Sequence, residues 1–374
     1  MRIGIEAQRI FRKNKHGMDY AVLHTIIELQ KTDTRNEYFV FVAPGEDHCL
    51  KDSHNVHVIE IGSGFYPLWE QYSLPKAAKE LNLDMLHCTS NTAPLSCKIP
   101  IILTLHNIIF LEPRDQMNES IYQNMGWLYR KWVVPRILKK CKRIITVSNF
   151  EKRNIINTLS IPEEKMAMIY NGYTEWFKPV QDIEFIYRKY IDAPSYFFFL
   201  GNTDPKKNTE RTLIAYSRYL EKSEFKRQLL IADLDDQYLS YIIERNHIEN
   251  IREKVVMPGY IANSDLPYIY NNAFAFLYPS LRESFGIPLL EAMACGTPVI
   301  TSNTSSMPEI GGPNAILINP ENPDEITEMM LKLETDAAFY NRQEEIGLQQ
   351  ATLFSWQRTA EQLLELYEEV MKEL

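Results

Sequence analysis

No apolar run in this chain reaches the ~18 residues that a bilayer-spanning helix needs, so no spanning helix is predicted. Cysteine is sparse. Cys49, Cys88, Cys97, Cys141 and Cys295 are odd in number and scattered, without the spacing of a metal site or of a secreted disulfide framework. Reduced thiols in a cytosolic protein are the simplest account. Neither a GxGxxG fingerprint nor a Walker phosphate loop occurs, which argues against dehydrogenase and NTPase chemistry. Internal repeats and low-complexity segments are absent too. The opening Met-Arg-Ile-Gly-Ile-Glu-Ala alternates and carries charge, so it is read as a first strand and not as a secretory leader. Surplus positive charge is missing overall: the net charge of −9 argues against a nucleic-acid partner. The balance is uneven, with residues 1–175 summing to +3 and residues 176–374 to −12.

What is present suits an ordinary globular protein, 45% hydrophobic and 24% charged over 374 residues. A single core rarely grows beyond roughly 250–300 residues, so two domains are expected. Strand-like runs alternate with helical patterns: Ile3–Ala7, Tyr38–Ala43, Val56–Ile61, Met85–Cys88, Ile101–Leu105 and Ile144–Val147, then Tyr196–Leu200, Leu229–Ala232, Val255–Met257, Ala275–Tyr278, Pro298–Ile300 and Ala315–Ile318. Strands separated by helices make parallel sheets with crossover connections. The chain is therefore expected to be α/β, with two doubly wound, Rossmann-like domains of about six strands each. The border is placed at Asn171-Gly172-Tyr173, giving domains 1–172 and 173–354. Ser355 is read as the N-cap of a last helix, 355–374. One face of that helix, from Trp356, Ala360 and Leu363 to Leu364, Tyr367, Val370 and Met371, is apolar at helical spacing.

The densest chemical signal runs from Arg282 to Ile300. Glu283 and Glu291 stand eight positions apart around a strand exit, a helix started by Pro288 and a stop at Gly296. Ser284, Phe285, Gly286 and Ile287 lie at the helix start, where backbone N–H groups and the macrodipole favour an anion or a hydroxyl-rich ligand. This stretch resembles the E-x7-E signature of glycosyltransferase family 4, the retaining nucleotide-sugar transferases of GT-B fold.

A second segment, Phe199-Leu200-Gly201-Asn202-Thr203-Asp204-Pro205-Lys206-Lys207-Asn208, ends a strand and sets two cations before a helix beginning near Thr209. Adjacent cations there can stabilise the charge that grows as a diphosphate departs. The segment resembles the family's Gly-Thr-x-x-Pro-Arg-Lys-Asn variant. Lys207 takes the place of the phosphate-binding lysine, and Lys206 replaces a planar arginine fork with a point charge. Many relatives carry arginine where this chain has Asn202, so which group grips which phosphate stays open.

The remaining marks are sparser. Gly17 follows the first strand and is either part of a simple turn or, as the resemblance expects, of a glycine loop near the donor phosphates. His106, at the end of a buried strand, is either a satisfied core histidine or, as the family's His-Asp pair suggests, a contact to the donor sugar; Asn107 replaces the acid. Tyr260 and Ile261, after Met257-Pro258-Gly259, stand where the resemblance lays the nucleobase against the backbone. Glu309 in Ser305-Ser306-Met307-Pro308-Glu309 is assigned no catalytic duty, and Val147-Ser148-Asn149-Phe150 is read as structural. Asp233-Leu234-Asp235 matches the Asp-x-Asp metal pattern but is read as an acidic turn. The basic stretch 127–143, from Trp127 to Arg143, is either a peripheral membrane surface or an ordinary helix with solvated cations.

The resemblance implies a GT-B fold with a cleft between the domains and the last helix crossing back to the first, acceptor-side domain. It also implies transfer of a hexose, mannose favoured, from a nucleotide diphosphate sugar to a saccharide or lipid-linked acceptor in surface polysaccharide synthesis. Glu283, Lys207 and His106 are the catalytic candidates. No cofactor and no metal are expected, and the expected location is cytoplasmic, up to the inner membrane face. Two alternatives share the architecture: a UDP-sugar epimerase and a non-catalytic nucleotide-sugar-binding protein.

Overall fold

The computed structural model describes the whole chain apart from residues 63, 113–120 and 181–183, and apart from the side chains of residues 121–123 and 184–185. Two compact units emerge. Unit 1 comprises Met1–Gly172 with Trp356–Leu374, and unit 2 comprises Tyr173–Ser355.

Unit 1 is built on seven parallel strands: β1 (Arg2–Glu6), β2 (Glu37–Val42), β3 (Val56–Glu60), β4 (Met85–Cys88), β5 (Ile101–Thr104), β6 (Arg143–Thr146) and β7 (Met166–Met168). Their order is β3-β2-β1-β4-β5-β6-β7. Unit 2 holds six: β8 (Tyr196–Leu200), β9 (Leu229–Ala232), β10 (Val255–Gly259), β11 (Ala273–Tyr278), β12 (Val299–Ser302) and β13 (Ile316–Ile318), in the order β10-β9-β8-β11-β12-β13. The first sheet thus has one strand more than the six expected. The extra strand, β7, is a three-residue edge strand paired only with β6, too short to show a period in sequence.

Both sheets are covered on two faces, so their strands read as near-continuous apolar runs. Tyr196, Phe197, Phe198 and Phe199 are all buried, as are all six residues of β11. In unit 1, Trp69, Leu103, Val133 and Val134 pack one face of the sheet. The other face is packed by the helix Gly17–Thr32 together with the terminal helix Trp356–Lys372, through Leu23, Ile26, Leu363, Tyr367 and Val370. His24 stacks on Trp356 at 5.6 Å, and His87 Nδ1 lies 2.7 Å from the Tyr367 hydroxyl. Among the described residues no helix is long and apolar enough to cross a membrane.

Candidate active site

In unit 2 the strand order reverses between β8 and β11. Loops leaving the carboxyl ends of two such strands diverge and leave a crevice, the usual ligand position of an open α/β sheet. Both motifs occupy those two loops. After β8 the chain turns through Pro205–Lys207, with the Asp204 carboxylate accepting from Lys206 N at 3.0 Å. The Asn202 carboxamide oxygen accepts from Asp204 N, and its carbonyl accepts from Thr209 Oγ1. The helix Thr209–Lys222 then begins at the residue where the sequence placed it.

Two ties join this loop to the one after β11. Leu281 N donates to Lys206 O at 2.8 Å. Lys207 Nζ lies 2.8 Å from Glu283 Oε1, both side chains partly buried, with the ammonium 5.4 Å from the centroid of the Tyr278 ring. Burial, and then the Glu283 carboxylate beside it, hold the Tyr278 hydroxyl well above its ordinary pKa. Lysine and glutamate from motifs 76 positions apart therefore meet at one point. Among the described residues the Lys206 ammonium makes no such pair.

The acidic loop is held from behind. Glu283 N donates to Ser305 Oγ at 3.3 Å, and Ser306 Oγ donates to the carbonyls of Glu283 and Phe285 at 3.1 and 3.0 Å. Gly286 stands at φ +103°, and a Cβ there would meet Met307 Cε at 2.5 Å, so glycine suits both the backbone and the space. The helix Ile287–Ala294 follows, with Pro288 at its second position, one later than expected, and Gly296 at φ +78° beyond its end. Glu291, one turn inside, is half-buried and faces Tyr270 of the helix Leu266–Asn272. Burial pushes its carboxyl up to about 8, against the Tyr270 hydroxyl, which lowers it.

Sequence reading missed Asn208. It sits at φ +61° with its Nδ2 donating to Pro279 O and Pro320 O at 3.0 and 2.6 Å, which pins the lysine loop to the exit of β11. An asparagine directly before a helix, with its tolerance of left-handed backbone, was the available signal. Tyr278 was legible only as a strand residue.

Two further candidates, Gly17 and His106, lie in unit 1. A Cβ added to Gly17 would meet nothing within 4 Å, so open space and not backbone strain distinguishes that position. Its helix is opened by Asp19, whose carboxylate accepts from His16 N and pairs with Arg9 at 3.0 Å. His106 is buried, its Nε2 is 3.0 Å from Thr89 O, and burial lowers its pKa to about 4. The ring is neutral near pH 7 and donates from Nε2, which leaves Nδ1 as an acceptor. Asn91 links the two positions, accepting from His106 N at 2.7 Å and reaching Met18 Sδ at 3.7 Å.

At the rim of unit 2, Tyr260 is 67% exposed and Ile261 is buried. Of the Asp-x-Asp pair, Asp235 caps the helix Asp236–Asn246 by accepting from Tyr238 N. Among the described residues no group of three or more His, Cys, Asp or Glu side chains is placed to hold a metal ion. In the basic stretch, Val133, Val134, Ile137 and Leu138 are core residues, while Leu128 and Trp132 are exposed. Lys131 covers the Trp127 ring at 3.8 Å, and Arg136 covers that of Trp132 at 4.9 Å.

Residues 17–175 match the model of Glycosyltransferase Family 4, and residues 183–367 match that of the glycosyl transferases group 1. The O-antigen chain mannosyltransferase B of Escherichia coli is 31% identical over 71% of this chain and 69% of its own length. The chain belongs to glycosyltransferase family 4. A glycosyltransferase of the same species, the serotype-specific mannosyltransferase WbdA, is 29% identical over 61% of this chain, which spans only 29% of that larger protein. Sucrose-phosphate synthase of Thermosynechococcus elongatus shares the GT-B fold, with a TM-score of 0.79 over 100% of both chains at 18% identity.

Proposed function

We propose that this glycosyltransferase moves mannose from GDP-mannose to a hydroxyl of a saccharide or lipid-linked acceptor in surface polysaccharide synthesis, with retention at the anomeric carbon. The contact between Lys207 and Glu283 carries the reading, because it puts a cation for the diphosphate beside an acceptor for sugar hydroxyls. The mannosyltransferase names of both Escherichia coli relatives support the sugar, and the O-antigen name of mannosyltransferase B supports the pathway class.

Each group has a duty in this scheme. Glu291 accepts from the ribose hydroxyls. Glu283, with the amides of Phe285 to Ile287, orients the donor sugar at the helix start. A diphosphate carries more charge than one carboxylate, so it draws the Lys207 ammonium from Glu283 as it arrives, leaving Glu283 to the sugar. Lys206 adds a second cation, and Asn202 borders the phosphates. The anomeric C–O bond then breaks with its electron pair passing to the diphosphate oxygen. The acceptor oxygen bonds to the anomeric carbon on the same face, and its proton goes to the departing phosphate. Two lysines stabilise that charge without a metal ion. His106, neutral, accepts from a sugar hydroxyl through Nδ1, and the nucleobase lies along Tyr260 and Ile261. Catalysis rests on positioning and charge stabilisation.

Unit 1 takes the acceptor. Its exposed Leu128 and Trp132, flanked by Lys139, Lys140 and Lys142, suit peripheral contact with an anionic inner membrane face, where a lipid-linked acceptor would be met.

The test is Glu283→Ala and Lys207→Ala, assayed for mannosyl transfer and for donor hydrolysis. Each should cut transfer by roughly 100-fold or more, the scale on which a preorganised transition-state contact counts. Near-wild-type rates in both variants would end the proposal.

A further inference from the structure

We propose that Asp233 reads the nucleobase of the donor and selects guanosine over uridine. This rests on unit 2 as the donor site, with the diphosphate at Lys206 and Lys207. On the β12 side of that point the Ser305–Met307 segment already packs against Glu283, Phe285 and Gly286. The nucleoside must extend the other way, toward Glu291. With the base along Tyr260 and Ile261, as proposed above, it lies at the exit of β10, whose Gly259 pairs with Ala232 at the end of β9.

Asp233 is the first residue beyond β9. Its backbone N is 3.4 Å from Gly259 O, and the next residue, Tyr260, exposes its ring. Other carboxylates of this rim are engaged. Asp235 caps a helix, Asp236 pairs with Arg252 at 2.8 Å, and Asp265 accepts from the Tyr190 hydroxyl at 2.8 Å and pairs with Lys189 at 3.3 Å. Asp233 is exposed, and its carboxylate has no hydrogen-bond or ionic partner among the described residues. Its φ of +61° belongs to the left-handed region, which glycine enters most easily and which aspartate tolerates.

Guanine offers N1–H and the exocyclic N2–H side by side, a pair that one carboxylate accepts in bidentate fashion with charge assistance. Uracil offers a single N3–H between two carbonyl oxygens, so the same carboxylate meets at least one acceptor and is repelled. A bidentate base contact discriminates by roughly 10- to 100-fold.

The experiment is isothermal titration of the full chain with GDP and with UDP, for the natural protein, Asp233→Gly and Asp233→Asn. The natural protein should prefer GDP by about 10-fold or more. Asp233→Gly, which suits the backbone, should bring the GDP-to-UDP ratio near one. Asp233→Asn should swing it toward UDP, because a carboxamide presents one donor and one acceptor to N3–H and O4 of uracil. A natural preference for UDP, or a ratio that both variants leave unchanged, overturns the inference. Lys207→Ala separates the two levels of failure. If it weakens both nucleotides while the Asp233 variants change nothing, only the base assignment is lost. If Lys207→Ala leaves both affinities intact, or neither nucleotide binds the natural protein, the donor site itself is lost as well.

Discussion

Glu291 keeps its proton up to about pH 8, because its half-buried position one turn inside the helix Ile287–Ala294 penalises the charged form. In the unfolded chain the same carboxyl titrates near 4.5. Between those values the folded state holds a proton that the unfolded state has released, so stability falls as pH rises through this window. The contribution is fully present below about 4.5 and gone above about 8. Glu291→Gln keeps the shape and removes the titration. Urea unfolding of the two proteins should therefore diverge with pH, the natural protein losing roughly a few kcal/mol relative to the variant between pH 5 and pH 9. A difference constant over that range would show that the carboxyl is not held neutral. At this scale a short motif is enough to single out Glu283, Glu291 and Lys207 as candidates from their neighbours in the chain. What it could not give was the direct Lys207–Glu283 pairing, since contact between residues 76 apart is set by strand order.

The elements themselves were well marked in the sequence. Short apolar runs gave β4, β8 and β9 to the residue, and Thr209 was found as a helix start. Boundaries moved by one or two positions elsewhere, as with β10, which continues through Pro258 to Gly259. Hidden from sequence were the ties between loops, which depend on single polar side chains reaching foreign carbonyls. Asn208 is the main one, and its two roles can be separated. Asn208→Ala loses both donated bonds and puts a Cβ residue at φ +61° without a local hydrogen bond to favour it. Asn208→Gly loses the same bonds but suits the backbone. The alanine variant should be less stable than the glycine variant by about 1 kcal/mol, the reverse of ordinary helix preference, and both should fall about 1–3 kcal/mol below the natural protein. Chemical denaturation of the three proteins decides it, and an alanine variant at least as stable as the glycine one would rule out the backbone argument.

The whole molecule is organised by a chain that leaves unit 1 at Gly172 and re-enters it at Trp356. The sequence showed only that one face of the last helix is apolar; the partner of that face follows from the tertiary fold. Trp356, Ala360, Leu363, Leu366, Tyr367 and Val370 are all buried against unit 1. Tyr367 completes a polar chain with His87 and Thr104, at 2.7 Å for each link. Burying a large apolar side chain contributes roughly 1.5–3 kcal/mol, so losing five such residues removes about as much as the ~5–15 kcal/mol by which a domain is stable. Unit 2 contributes none of these residues and has its own core around Phe197, Leu213, Leu229 and Leu277. A chain ending at Ser355 should therefore lose the calorimetric transition of unit 1 while unit 2 still melts cooperatively. On the proposed function it should also still bind a nucleoside diphosphate, because the proposed donor residues Lys207, Glu283 and Glu291 all lie in unit 2. Scanning calorimetry with and without nucleotide separates the outcomes, since a bound ligand raises the melting temperature only of the unit that binds it. A truncated chain that keeps both transitions would mean the terminal helix is dispensable to the first sheet, whereas loss of both would mean the two cores do not stand apart.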